Sequence, residues 1–186
     1  MHQSQAVICL LVISSIIMMV PSGSKVFAAV ISCAITKPCV GTNDDDVIKG
    51  SKEADDIRGL GGNDVLKGEQ GDEGAILGGD GDDQIYGGPG DDDELAGQNG
   101  NDFIDGGIGN DPTITGGPGD DVIKGGPGDD HISHGTGFTA DVVMTDSDGG
   151  QDKIDCGSGN DEVWINVSTD HDTVKNCETV HTESDK

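Results

Sequence analysis

Paired carboxylates recur through most of this sequence beside glycines, at a spacing that suits metal binding. Residues 116–132 read GGPGDDVIKGGPGDDHI, in which a nine-residue pattern of glycines, two aspartates and one aliphatic residue occurs twice. Calcium is a hard cation that takes roughly six to eight oxygen ligands, from carboxylates and backbone carbonyls, at about 2.3–2.6 Å. Glycine lets the backbone adopt positive φ angles and turn its carbonyls toward one point. The pattern therefore indicates repeated sites for a hard cation.

The same period organises most of the chain. It runs through ten contiguous units from Gly41 to Ser133 and through three looser units between Ser147 and Lys175. A fixed period of this kind is typical of a solenoid. A solvated acidic linker would have no reason to keep apolar residues in phase, so the repeat argues against disorder. One aliphatic slot is filled in all thirteen units, by Ile48, Ile57, Leu66, Ile76, Ile85, Leu95, Ile104, Ile114, Ile123, Ile132, Ile154, Val163 and Val174.

The pattern G-G-x-G-x-D-x-U-x, with U aliphatic, resembles the RTX (hemolysin-type) calcium-binding nonapeptide repeat. The resemblance covers residues 41–133 closely and 147–175 loosely. It implies an all-β fold, a parallel β-roll in which two sheets form a solenoid, two units make one coil and the aliphatic residues point inward. It also implies several Ca²⁺ ions between stacked turns, held by backbone carbonyls and by the aspartate before each strand. These aspartates are Asp46, Asp55, Asp64, Asp83, Asp92, Asp102, Asp111, Asp121, Asp130, Asp152, Asp161 and Asp172, while Glu73 replaces the aspartate of one unit.

Small slips in the period predict how the two sides of the roll differ. The units that start at Gly68, Gly87 and Gly106 have ten residues, and they alternate with units of nine. Since alternate units lie on the same side of a two-sheet roll, we expect the extra residues to stack as a column of bulges along one edge. We expect the opposite, uninterrupted edge to hold the more regular calcium column. The bulged edge would carry Asp55, Glu73, Asp92, Asp111 and Asp130, and the regular edge Asp46, Asp64, Asp83, Asp102 and Asp121.

The net charge of the chain limits the kinds of partner that it can bind. It has 36 Asp and Glu against 10 Lys and Arg, for a formal net charge of −26. Nucleic acids and anionic lipid surfaces would repel such a chain, so we expect neither as a partner. Without ions, the stacked carboxylates would repel one another, and thirteen aliphatic residues bury too little surface to offset the chain entropy. The sequence therefore predicts that calcium binding drives folding.

The N-terminus has the pattern of a secretory signal. Residues 6–20 are apolar, and small residues follow before a cleavage point after Ala28 or Ala29. The apolar stretch is shorter than the roughly 20 residues that span a bilayer, and its length is typical of a signal peptide. We therefore expect an exported protein, extracellular or at the cell surface, with no stable membrane insertion after cleavage. A retained membrane anchor is the alternative.

Four cysteines remain once the predicted signal peptide is removed. They are Cys33, Cys39, Cys156 and Cys177, and an even number in an exported chain indicates disulfides. Four cysteines allow three pairings, of which placement at opposite ends of the repeats favours Cys33 with Cys39 and Cys156 with Cys177. Coil length also favours the second pair, because a coil of about 20 residues places Asn176, the neighbour of Cys177, one layer, about 4.8 Å, from Cys156.

The expected organisation follows from these features. It comprises a signal peptide (1–28), an N-terminal cap segment (29–40), the β-roll (41–133), an insertion loop (134–146), degenerate repeats with a C-terminal cap (147–180) and a tail (181–186). The loop is interpreted as an insertion that bulges from the roll, or alternatively as a partner-binding loop around Phe138 and Met144. Asn166 begins a short N-glycosylation pattern.

No catalytic constellation accompanies the repeats. About a dozen residues separate the predicted cleavage point from Gly41, which leaves no room for a catalytic domain. His131 and His134 lack a third ligand of a zinc site. We therefore expect a non-catalytic calcium-binding protein that is a structural or adhesive module with a cell-surface or extracellular-matrix partner. The alternative is a freely secreted module that binds a protein or glycan in a calcium-dependent way.

Overall fold

The computed structural model describes residues 30–33, 38–133, 142–144, 151–157, 159–165 and 172–182. These residues contain seventeen short β-strands and no helix. The strands are β1 (Val30–Ser32), β2 (Cys39–Val40), β3 (Val47–Lys49), β4 (Asp56–Gly61), β5 (Val65–Lys67), β6 (Ala75–Asp80), β7 (Gln84–Pro89), β8 (Leu95–Asn99), β9 (Phe103–Ile108), β10 (Ile114–Thr115), β11 (Val122–Lys124), β12 (His131–Ser133), β13 (Val142–Met144), β14 (Lys153–Asp155), β15 (Glu162–Ile165), β16 (Thr173–Lys175) and β17 (Thr179–Thr182).

The strands alternate between two parallel sheets. Sheet 1 contains the nine odd-numbered strands in chain order, and sheet 2 contains the eight even-numbered strands. Every strand pairs with the strand two places along the chain, for example β5 with β7 in sheet 1. This topology is a two-sheet parallel solenoid, as the nine-residue period and the RTX resemblance predict.

The core consists of the predicted aliphatic residues, stacked in one column per sheet. In sheet 1 the Cα atoms of Ile48, Leu66 and Ile85 are in register, and Ile104 and Ile123 continue the column. Twelve of the thirteen predicted residues are at most 2% exposed. The thirteenth, Val174, is partly buried and packs against the others. The prediction that these residues point inward is confirmed.

The ten-residue units stack on one another in sheet 2. Ile76 is in register with Leu95, and Leu95 with Ile114, so the three units that carry an extra residue are consecutive layers of this sheet. Hydrogen bonds join these units between layers, since the N–H of Ile76 donates to the carbonyl of Glu94 and the N–H of Leu95 to that of Thr113. The predicted column of bulges is confirmed.

One strand lies where an insertion was expected. Within the interval 134–146, residues 142–144 form β13, which pairs with β11 and β15 in sheet 1. Val143 is fully buried in the aliphatic column. The interpretation of the interval as a bulging insertion is therefore wrong for these three residues. The nine-residue period is lost there, yet the D-x-U spacing from Asp141 to Val143 persists, and Val143 takes the aliphatic position in sheet 1.

Two disulfides close the two ends of the roll. Cys33 bonds to Cys39 with a Cα–Cα distance of 5.4 Å, and Cys156 bonds to Cys177 with a distance of 5.1 Å. The first bond links the ends of β1 and β2. The second joins successive layers of sheet 2, where the N–H of Cys156 donates to the carbonyl of Lys175. Both favoured pairings are confirmed.

Several sequence features fall outside the described residues. These are the apolar stretch at 6–20, the cleavage point, Phe138 and the glycosylation motif at Asn166. Among the segments that the structure does describe, none is a helix with the length and apolarity needed to cross a membrane.

Candidate metal-binding turns

The turns that join the sheets have positive φ at two positions; the second is glycine in all eight turns from Gly62 to Gly128, and the first is glycine in five of them and Leu60, Glu69 or Gln98 in the others. In the unit that starts at Gly78, Gly79 has φ 130° and Gly81 has φ 133°. Residues with a Cβ rarely adopt such angles. Space is also limiting, because a Cβ on Gly81 would lie 2.1 Å from the carbonyl oxygen of Gly62 in the preceding coil. The repeated glycines therefore allow tight turns to stack directly on one another.

The predicted aspartates lie at the inner side of these turns and are buried. Glu73, the one substitution in the series, is equally buried at 1% exposure. Asp172, in the last repeat, is only partly buried. Eleven aspartates are at most 4% exposed: Asp46, Asp55, Asp64, Asp83, Asp92, Asp102, Asp111, Asp121, Asp130, Asp152 and Asp161.

In most inner aspartates Oδ1 accepts a hydrogen bond that orders the stack of turns, whereas Glu73 takes part only through its N–H. The N–H of Asp64 donates to Oδ1 of Asp83 at 2.8 Å, and the N–H of Asp83 donates to Oδ1 of Asp102 at the same distance. These bonds form two separate ladders, which divide the carboxylates between two edges as predicted, except that Asp55 is linked to the bulged edge through its carbonyl, which accepts the N–H of Gly74, and not through its carboxylate. The regular ladder joins Asp46, Asp64, Asp83, Asp102 and Asp121. The bulged ladder joins Glu73, Asp92, Asp111, Asp130, Asp152 and Asp172.

The other carboxylate oxygen lacks a donor in the middle of the roll. Oδ2 of Asp64, Asp83, Asp102 and Asp111 is buried, and no described residue donates a hydrogen bond to it. A buried carboxylate oxygen without a donor is costly and calls for an ion or water as its partner. These four oxygens are therefore the strongest structural indication of cation sites.

Backbone carbonyls converge on the same small spaces. A Cβ on Gly78 would lie 2.2 Å from Oδ2 of Asp83 and 2.6 Å from the carbonyl oxygen of Gly97, one coil further on. Gly106 has the same surroundings, with Oδ2 of Asp111 and the carbonyl oxygen of Gly125 each at 2.4 Å from such a Cβ. Each space thus combines a carboxylate oxygen with a carbonyl oxygen, which is the donor chemistry that calcium prefers.

Side chains alone do not make a site in the part of the chain that the structure describes. No three His, Cys, Asp or Glu side chains are grouped there in a way that would hold a metal ion. A calcium site in these turns must therefore include backbone carbonyls, as the repeat pattern predicts. The inner aspartates and the stacked glycines fit that requirement.

Burial changes the acidity of the inner carboxylates. It raises the pKa of Asp83 and of Asp111 to about 7, against the hydrogen bond that each accepts from a backbone N–H. For the same reason the pKa of Asp64 and of Asp102 rises to about 6. Neighbouring carboxylates add to these shifts by charge repulsion. In the absence of a cation, the turns therefore hold protons near neutral pH.

Glu73 differs from its neighbours in geometry and acidity. A Cβ on Gly68 would meet Cδ of Glu73 at 2.9 Å, whereas the same atom on Gly87 would meet Oδ2 of Asp92 at 2.2 Å. The extra methylene thus places carbon where other turns place a carboxylate oxygen. Burial, followed by charge repulsion from Asp92, raises the pKa of Glu73 above its usual range. In the absence of a cation, this carboxyl therefore holds its proton more firmly than an exposed glutamate does.

A second ladder, on the outer side of the turns, was not predicted. The N–H of Asn101 donates to Oδ1 of Asp82 at 2.9 Å, and the N–H of Asp120 to Oδ1 of Asn101 at 2.8 Å, opposite in direction to the inner ladder. The signal in the sequence is an Asp or Asn directly before most inner aspartates. The residues of this kind are Asp45, Asn63, Asp72, Asp82, Asp91, Asn101, Asn110, Asp120, Asp129 and Asn160.

Comparisons with known proteins agree with this geometry. The family described as RTX calcium-binding nonapeptide repeat (4 copies) matches residues 40–72, 77–111 and 113–138, about half of the chain. No curated protein and no solved structure matches. The matched segments contain the glycine turns, the buried aspartates and the aliphatic columns. This chain belongs to the RTX calcium-binding nonapeptide repeat family.

Proposed function

We propose that this calcium-binding β-roll is an exported, non-catalytic protein that folds when calcium binds and acts as a structural or adhesive module of the cell surface or extracellular matrix. The observation that carries the proposal is the set of buried Oδ2 atoms in Asp64, Asp83, Asp102 and Asp111, to which no described residue donates. In these turns Ca²⁺ supplies the positive charge that each buried Oδ2 and the neighbouring backbone carbonyl oxygen require.

The thin core supports calcium-dependent folding. Each layer contributes one aliphatic side chain per sheet, while the chain as a whole carries a net charge of −26. Burial of so little apolar surface does not offset the entropy of ordering the chain and the repulsion between stacked carboxylates. Binding free energy therefore becomes folding free energy.

Export is supported by the N-terminal sequence and by the cysteines. Residues 6–20 followed by Val26 and Ala28 form a secretory signal pattern. Disulfides such as Cys33–Cys39 and Cys156–Cys177 persist in oxidising compartments. Mass spectrometry of extracellular protein should find a chain that begins at residue 29 or 30; an intact Met1 would contradict the signal-peptide assignment.

A calcium titration tests the central function. Far-UV circular dichroism of the chain lacking residues 1–28 should show little β-structure in EDTA and a cooperative gain in calcium on the order of 10⁻⁴–10⁻³ M. Magnesium is the matched control, because it prefers octahedral sites and retains its waters, so it should substitute poorly. Unchanged strand content after EDTA treatment would contradict calcium-driven folding.

The second candidate is a freely secreted module that binds a protein or glycan partner. The outward side of sheet 1 favours it, because Tyr86 and Phe103 lie there with ring centroids 5.7 Å apart, and Met144 is in register with Trp164. Aromatic side chains are enriched at binding surfaces. Cell fractionation separates the candidates: surface-bound protein released by a chelator supports the structural module, and protein found only in the medium supports the secreted one.

A further inference from the structure

We propose that the first coil of the roll, residues 41–58, binds no calcium, because protein hydrogen bonds occupy the carboxylate oxygens that later turns leave without a donor. The inference rests on the proposed calcium function and concerns where the ion columns begin. It removes Asp46 and Asp55 from the ligands that the RTX resemblance implies. The calcium sites then start with the second coil.

The two carboxylates of the first coil have donors within their own turns. Oδ2 of Asp46 accepts hydrogen bonds from the N–H of Thr42 at 2.6 Å and from the hydroxyl of Thr42 at 2.9 Å. Oδ2 of Asp55 accepts one from the N–H of Ser51 at 2.6 Å. Bonds to a charged acceptor are stronger than those between neutral groups. An ion at either oxygen would have to displace these donors.

The backbone of these two turns also differs from that of later turns. The hydroxyl of Thr42 accepts the N–H of Asp44 at 3.1 Å, and the hydroxyl of Ser51 accepts the N–H of Glu53 at 3.2 Å. Ser and Thr close turns in this way without positive φ angles. No residue of 41–58 has a positive φ. Each later turn up to Gly128 has two residues with a positive φ. Thr42 and Ser51 thus close their turns with a hydroxyl and donate to the inner carboxylate. In later turns glycine allows the closure and an ion is the partner of the carboxylate.

The first coil forms a surface on which the second coil stacks. The N–H of Asp46 donates to Oδ1 of Asp64 at 2.7 Å, which starts the regular ladder. A Cβ on Gly62 would lie 2.5 Å from the carbonyl carbon of Asp44, so the next turn packs directly on the first. The Cys33–Cys39 disulfide lies on the other side of this coil. The N-terminal end of the roll is therefore held by covalent and hydrogen bonds that need no ion.

Counting bound ions tests the assignment. Equilibrium dialysis of the calcium-loaded chain, with folding checked by circular dichroism, should give the wild-type number of ions for Asp46→Asn and for Asp55→Asn. The matched variants Asp83→Asn and Asp111→Asn, one on each edge, should each lose at least one ion. Loss of an ion from Asp46→Asn or Asp55→Asn would overturn the inference. A wild-type chain that binds no calcium would instead contradict the proposed function.

Discussion

The backbone N–H of Asp83 donates a 2.8 Å hydrogen bond to Oδ1 of Asp102, 19 residues further along the chain. In both residues the other carboxylate oxygen, Oδ2, is buried and receives no hydrogen bond from the described residues. Each carboxylate therefore has two tasks, since Oδ1 sets the stacking of coils and Oδ2 faces a space suited to a cation. This division of tasks makes the inner ladder sensitive to both protons and calcium.

Calcium should reverse the pH dependence of stability. Burial raises the pKa of Asp83 and Asp111 to about 7 and that of Asp64 to about 6, from 3.8. Without calcium, the folded chain binds more protons than the unfolded chain between about pH 4 and 7, so its stability falls as the pH rises. With calcium, the same carboxylates must lose protons to bind the ion, so apparent calcium affinity rises over this range.

Circular dichroism near pH 4.5, 6 and 7.5, in calcium-free buffer and in saturating calcium, measures both trends. The calcium-free chain should have its highest strand content at the lowest pH, and the midpoint of the calcium titration should move to lower concentration as the pH rises. Stability of the calcium-free chain that increases from pH 4.5 to 7.5 would contradict the assignment of raised pKa values.

A methyl group at Gly78 should damage the turn. Its Cβ would lie 2.2 Å from Oδ2 of Asp83 and 2.6 Å from the carbonyl oxygen of Gly97. We expect Gly78→Ala to destabilise the calcium-bound roll by about 1–3 kcal/mol, the usual range for overpacking, and to weaken calcium binding. Gly61→Ala is the matched control, because its Cβ would have no neighbour closer than 3.6 Å. Denaturant titrations in calcium should leave the control within about 0.5 kcal/mol of wild type; equal losses would contradict the crowding argument.

The fold follows from the sequence wherever the period alone decides the outcome. Closure of each coil requires a nearly constant number of residues. The phase of Ile48 and Leu66, the alternate ten-residue units and the position of Cys177 relative to Cys156 therefore all predict structure correctly. Each of these features depends on counting along the chain. For this reason the two sheets, the bulge column and both disulfides are confirmed.

The features that sequence reasoning missed depend on neighbours in space. β13 was missed because Asp141 follows Gly137 by four residues instead of two, which breaks the nine-residue period, although the strand still pairs in sheet 1. The outer ladder was missed because Asn101 and Asp82 read as solvated polar residues, and only stacked coils bring an N–H to each of them. The donors from Thr42 to Asp46 were missed because the repeat pattern treats every inner aspartate as equivalent.

The two disulfides should differ in their contribution to stability. In the loop-entropy description, closing 21 residues between Cys156 and Cys177 stabilises by about 3 kcal/mol, and closing 6 residues between Cys33 and Cys39 by about 2 kcal/mol. Removal of the C-terminal bond by paired Cys→Ala substitutions should therefore lower the free energy of unfolding more. Denaturation in saturating calcium gives the comparison, with the N-terminal double variant as control. A larger loss in that control would contradict the prediction.

Glu73 should leave its own turn without calcium, so that the ion column of the bulged edge begins at Asp92. Its longer side chain places Cδ, instead of a carboxylate oxygen, beside Gly68. Burial and the adjacent Asp92 raise its pKa, so loss of its proton to a cation is disfavoured. We therefore expect Glu73→Asp to restore the oxygen seen beside Gly87 and to increase the number of bound calcium ions by one.

The reciprocal change on the regular edge, Asp83→Glu, is the matched control and should lower the ion number, because it introduces the same methylene beside Gly78. Both variants keep a carboxylate, so they differ from wild type only in the length of the side chain that carries it. Equilibrium dialysis near pH 7.5 measures the ion numbers, and circular dichroism confirms that each variant folds in calcium. An ion number for Glu73→Asp equal to that of wild type would mean that the glutamate already serves as a calcium ligand.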